Sequence, residues 1–189
     1  MKTKRNLKNK NNKKTRKRIF NKEDYKSNDG MLTSIWGPGM WHFLHSMSFN
    51  YPVEPTQNDK NNYKNFILSL KDILPCGKCR KNLNKNFKKL PLTMKHLKNR
   101  DSFSKYVYEL HEVINKMLDK KSGLSYEDVR ERYEHFRSRC NKKKLLNKEK
   151  GCITPVYGKK SKCVLKIVPV EEKCESLEID ERCNKKIIE

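Results

Sequence analysis

The chain has 189 residues, room for one domain with tails. Lys and Arg number 45 against 22 acidic residues, a formal charge of +23 that favours non-specific contact with nucleic acid or anionic membrane at low salt and says little about a main activity. No run of about 18 apolar residues occurs, so no membrane span is expected, and without an apolar leader core a cytoplasmic, non-secreted site is expected.

Residues 2–18 hold ten Lys/Arg and no acid. Such a stretch buries too little apolar surface to offset its ordering entropy, so 1–30 reads as a basic disordered tail. It serves either as a solubilising extension or as a nuclear-type signal and nucleic-acid contact.

The folded part, 31–140, begins near Met31. Trp36-Gly37-Pro38-Gly39 reads as a turn entering a helix, with Pro38 at its first position. Met40, Trp41, Leu44, Met47 and Phe49 follow near helical period, and Tyr51-Pro52 ends the run. Asp59 is expected to cap a second helix whose inward positions are Tyr63, Phe66, Ile67, Leu70, Ile73 and Leu74. Pro75 restarts the chain, placing Cys76 at the N-terminus of a third helix that runs to about Lys88. There the orphan amides and the helix dipole favour a thiolate.

After a connector at Pro91–Arg100, Asp101 or Ser102 can cap a long fourth helix with Phe103, Val107, Leu110, Ile114 and Leu118 on one stripe, stopped by Gly123. Ser125-Tyr126-Glu127-Asp128 has the form of a capping box and predicts a short fifth helix to about Phe136. With no strand alternation in 31–140, the fold class is all-α, a compact helical bundle.

Beyond Cys140 the pattern changes. Cys152, Cys163, Cys174 and Cys183 recur at intervals of 11, 11 and 9 residues in 141–189. This tail is expected to be mostly disordered or weakly structured. Its thiols are incidental, electron-relaying or metal-binding, and the spacing does not choose among these.

Cys76-Gly77-Lys78-Cys79 is the chemical focus. Cysteines at i and i+3 on a helix share a face and can close a redox disulfide, a thioredoxin-like site or half of a zinc site. The helical pattern before the motif argues against thioredoxin, and no second Cys-x-x-Cys or His-x-x-x-His completes a zinc set, so no metal is assigned. Trp41 and His45 lie at i and i+4 of one helix, and His111 and Asn115 at i and i+4 of another, with Lys120 at its end. An amide such as Asn115 on an apolar stripe needs polar partners, and a flavin edge would supply them. A non-enzymatic basic adaptor for nucleic acid or zinc is the alternative.

Together Trp36-Gly37-Pro38-Gly39-Met40-Trp41-His42-Phe43-Leu44-His45, Tyr51-Pro52, Pro75-Cys76-Gly77-Lys78-Cys79 and the run from His111 to Lys120 resemble the Erv/Alr family of FAD-linked sulfhydryl oxidases. The motif order and spacing over about 31–136 are most like the branch encoded by large DNA viruses. The resemblance implies a five-helix FAD-binding bundle, usually a homodimer, that oxidises thiol-containing protein substrates and passes electrons to molecular oxygen, giving hydrogen peroxide. It assigns Cys76 to the substrate side and Cys79 to the flavin side. It places Trp36, Gly37, Pro38, Trp41, His45, His111, Asn115, Lys120 and, less directly, Arg132 and Tyr133 among the FAD-binding positions. For a viral member it implies the host cytoplasm and the virion as locations.

Two departures stand out. Glu112 occupies a position that is usually Asn. A structural disulfide found in some members is missing, because Tyr108 and residues 121–125 stand where its cysteines would be.

Overall fold

The computed structural model describes residues 20–139, 152–172 and 177–183. Among them are six helices: α1 (Lys22–Lys26), α2 (Thr33–Phe49), α3 (Gln57–Ile73), α4 (Gly77–Lys89), α5 (Arg100–Met117) and α6 (Tyr126–Glu134). A two-residue antiparallel ladder, β1 (Ser138–Arg139) with β2 (Thr154–Pro155), follows. The expected all-α bundle is present, with α2 against α5, α3 against α4, and α6 closing over α2 and α5.

Local chemistry explains most boundaries and corrects several. α3 starts earlier than expected because Thr56, not Asp59, is its cap. The Thr56 hydroxyl accepts from the Asp59 amide at 3.1 Å, while the Asp59 carboxylate accepts from the Thr56 amide at 2.9 Å. The Thr56 hydroxyl, which also donates to the Asp59 carboxylate at 2.6 Å, and the Thr56 amide hold that carboxyl below its ordinary pKa. α5 likewise begins before Asp101, capped by the Asn99 side chain on the Ser102 amide at 2.9 Å. It ends at Met117, where Asp119 already has φ 54°, before Gly123 is reached. The Ser125–Asp128 capping box of α6 forms as expected.

Pro38 is not the first residue of α2. The helix begins at Thr33 and carries Pro38 inside it, one turn in. The early turn is fixed from outside, since Trp36 Nε1 donates to the Met31 carbonyl at 3.1 Å. α1 lies within the stretch expected to be disordered, held by the Asn21 side chain on the Glu23 amide, with every residue exposed. The 2–18 charge run lies outside the described residues.

The main core gathers Ile67, Leu70, Leu74, Leu83, Phe87, Leu97, Phe103, Val107 and Leu110. Burying side chains of this size stabilises by roughly 1.5–3 kcal/mol each. Ile73 and Leu118, expected inside, are 64% and 49% exposed, because Ile73 closes α3 and Leu118 follows the end of α5, outside the helix contacts. Two buried tyrosines secure the irregular 90–99 connector: Tyr51 donates to the Leu97 carbonyl at 3.0 Å and Tyr106 to the Leu90 carbonyl at 3.1 Å. Burial raises both phenols, Tyr51 to about 12. A smaller cluster, Phe49, Val129 and Tyr133, joins α6 to α2.

A tyrosine ties down the next connection. Tyr108 donates to the Leu124 carbonyl at 2.8 Å and closes the loop between α5 and α6.

Candidate active site

The site lies along α2. At its start is the Cys76–Cys79 disulfide, with Cα atoms 5.1 Å apart. Leu74 caps α3, Pro75 turns the chain, and Cys76 caps α4, its Sγ accepting from the Cys79 amide at 3.2 Å. The N-cap geometry thus points an orphan amide at one sulfur, which favours a thiolate there. Arg80 reaches back to the Leu74 carbonyl and braces the turn.

Farther along, α2 delivers Trp41, His42 and His45 toward α5 and α6. At about 1.5 Å per residue, roughly 12 Å of helix separates Thr33 from Trp41. Trp41 stacks on His111, ring centroids 3.8 Å apart and 7° from parallel. His45, 3% exposed, sits with Nε2 3.0 Å from His111 Nδ1. Burial lowers His45 to about 3, helped by His111 and His42. It lowers His111 to about 4, with Glu112 pulling upward and Lys120 downward. Both rings are therefore neutral near pH 7, so one donates and the other accepts in the bond between them.

Two buried nitrogens in this cluster, His42 Nδ1 and His45 Nδ1, have no hydrogen-bond partner among the described residues. A buried polar atom without a partner costs about 1–3 kcal/mol, so a polar ligand edge fits here better than more apolar side chains would. The Trp41–His111 stack and the unpartnered imidazole nitrogens form an aromatic and polar set suited to a flavin nucleotide.

The remaining sequence-predicted residues are placed as follows. Trp36 is half-buried and packs against the core, Gly37 is buried inside α2, and Pro38 is exposed. A Cβ on Gly37 would make only ordinary contact with Thr33, so no steric demand for glycine exists there. Asn115 does not wait for a partner: its Nδ2 donates to Glu112 Oε1 at 2.9 Å. Glu112, one turn earlier on α5, thus takes one hydrogen of that amide. Lys120 is exposed just past α5. Tyr133 lies in the smaller core cluster, 5.2 Å from the His45 ring, and Arg132 beside it is half-buried. Of the tail thiols, Cys163 and Cys183 are free and Cys152 is disulfide-bonded, while Cys140 and Cys174 lie outside the described residues.

Sequence reasoning missed His42, whose signal was its place between Trp41 and His45 on the helix that carries the cluster. It also missed Gly30 and Thr33, which meet the disulfide only through the fold.

A helix-capping disulfide in an all-helical frame, joined by one helix to a neutral histidine cluster, defines a helical thiol–disulfide protein distinct from the strand-based thioredoxins. The sequence model of the Erv1 / Alr family matches residues 38–143, more than half of the chain. The chain belongs to that family. The probable FAD-linked sulfhydryl oxidase R368 of Acanthamoeba polyphaga mimivirus is 38% identical over 104 residues, 55% of this chain and 72% of the relative. An African swine fever virus FAD-linked sulfhydryl oxidase is 31% identical over 99 residues, 52% of this chain and 80% of the relative. Among solved structures, the FAD binding domain of Erv1 from Saccharomyces cerevisiae aligns with a TM-score of 0.50 and 26% identity, covering 55% of this chain and 94% of that one.

Proposed function

We propose that the protein is an FAD-dependent thiol oxidase that forms disulfides in thiol-containing proteins. The observation that carries this is the Cys76–Cys79 disulfide at the start of α4, on a helix frame whose histidine cluster leaves His42 Nδ1 and His45 Nδ1 to be satisfied among the described residues. Family membership sets aside the basic-adaptor alternative.

A substrate thiolate attacks Cys76 Sγ, the Cys76–Cys79 bond breaks, and Cys79 leaves as a thiolate. A second substrate thiol then resolves the mixed disulfide, releasing oxidised substrate and the Cys76 thiol. The Cys79 amide, 3.2 Å from Cys76 Sγ, stabilises negative charge on Cys76 as it is released. When bound, FAD supplies the two-electron route from the reduced pair to oxygen, which leaves as hydrogen peroxide. Trp41, His45, His111, Asn115 and Lys120 would hold it, with Trp36, Gly37, Pro38, Arg132 and Tyr133 around them. Neutral His45 and His111 offer hydrogen bonds without added charge, and Lys120 brings a cation near that end of the site.

Dimerisation, a cytoplasmic location, presence in a viral particle and loose nucleic-acid contact through the basic tail belong to the same reading. The likeness to viral oxidases and the +23 charge support them. Purified protein should be yellow with a flavin spectrum and should consume oxygen when given a dithiol. A folded, colourless preparation that cannot take up FAD would overturn the reading.

A further inference from the structure

The segment before α2 is fastened to the turn that carries the redox pair. Met31 N–H donates to the Pro75 carbonyl at 2.8 Å, and the Met31 carbonyl accepts from Trp36 Nε1 at 3.1 Å. Gly30 comes so close that a Cβ there would lie 2.7 Å from the Pro75 oxygen and 3.0 Å from Cys76 Cα. Only glycine fits without moving one strand of chain off the other. Three residues on, in the first turn of α2, Thr33 Oγ1 lies 3.7 Å from Cys79 Sγ. Neither sulfur of a disulfide carries a hydrogen, so the hydroxyl is the donor.

We propose that Thr33 is a further catalytic residue, donating a hydrogen bond to Cys79 as it leaves as a thiolate, and that Gly30 positions it. The inference rests on reading Cys76–Cys79 as the redox pair. The two sulfurs then have separate donors. The backbone amide of Cys79 serves Cys76, and the hydroxyl of α2 serves Cys79. A donor to the charged form lowers a thiol pKa, and a thiol of lower pKa leaves faster when its disulfide is attacked. When substrate attacks Cys76, the broken bond's electron pair goes to Cys79 Sγ, and the Thr33 hydroxyl hydrogen-bonds the resulting thiolate with no change of its own protonation. The charged groups flanking the contacting segments in sequence are Lys78, Arg80 and Lys81 on α4, the paired Lys71 and Asp72 at the end of α3, and Asp29 before α2. They are common to every variant compared below, so differences between variants isolate the hydroxyl.

The test is the pH dependence of Cys79 alkylation by iodoacetamide in the full chain carrying Cys76→Ser, read by mass spectrometry on the peptide containing Cys79. Thr33→Val should move the midpoint up by about one pH unit. Thr33→Ser, which keeps the hydroxyl, should stay near the parent, and Gly30→Ala should move in the same direction as valine. An unchanged profile in Thr33→Val overturns the proposal, as does an equal shift in valine and serine variants, which would indicate packing. Thr33→Ala replaces the valine variant if the latter fails to fold, under the same criteria. This readout needs no turnover, whereas the flavin spectrum tests the oxidase reading, so failure of one is distinct from failure of the other.

Discussion

Acidification to about pH 5 should destabilise this fold through two residues. His45 and His111 are held neutral in the folded protein, with pKa values lowered from 6.5 to about 3 and about 4 by burial and by their neighbours. Below pH 6.5 the unfolded chain takes up a proton at each ring and the folded protein does not. Their contribution to stability is therefore complete above pH 6.5 and is lost as pH falls toward the folded values. Each lost pH unit removes about 1.4 kcal/mol per ring. Between pH 7 and pH 5 this amounts to roughly 2 kcal/mol per histidine, or about 4 kcal/mol for the pair if they act independently. For a domain of this size that should lower Tm by roughly 15 °C. The assay is thermal unfolding followed by far-UV circular dichroism at the two pH values. In His111→Gln, the pH-dependent part of the change should fall to about half. A wild-type Tm that moves by less than a few degrees, or a His111→Gln profile as steep as the wild type, would refute the buried neutral pair as its source.

Cys79→Ser should abolish dithiol-driven oxygen consumption while retaining the flavin spectrum, and substantial turnover in that variant would show the electron route to be wrong. Tyr108→Phe removes the hydroxyl that reaches the Leu124 carbonyl and should lower stability by about 1 kcal/mol in urea denaturation with the flavin spectrum unchanged. Ile67→Ala, at a fully buried position of the main core, should cost roughly 2–5 kcal/mol by the same measurement. Sedimentation of the purified chain should give twice the monomer mass, and a monomer at micromolar concentration would remove the dimer from the reading.

Legibility differed by element. α4 and α6 were readable almost to the residue because their starts are set by groups adjacent in sequence, Cys76 with Cys79 and Ser125 with Asp128. α2 was misjudged at its start. Its first turn is secured by Trp36 reaching Met31 and by Met31 pairing with Pro75, more than forty residues away, and these contacts offset the penalty of an internal Pro38. Ile73 and Leu118 matched a helical stripe yet lie exposed, since periodicity gives direction on a helix and not the point where the neighbouring helix ends.

The residues of the site were likewise legible as types and less so as partners. The redox pair, Trp41, His45 and His111 could be singled out from spacing, because helical period brings i and i+3 or i+4 together without further folding. Only tertiary structure decided that His45 meets His111, that His42 and His45 keep unmet nitrogens among the described residues, and that Gly30 and Thr33 close against the disulfide. Those facts depend on distances between segments remote in sequence, which packing sets and local chain geometry cannot.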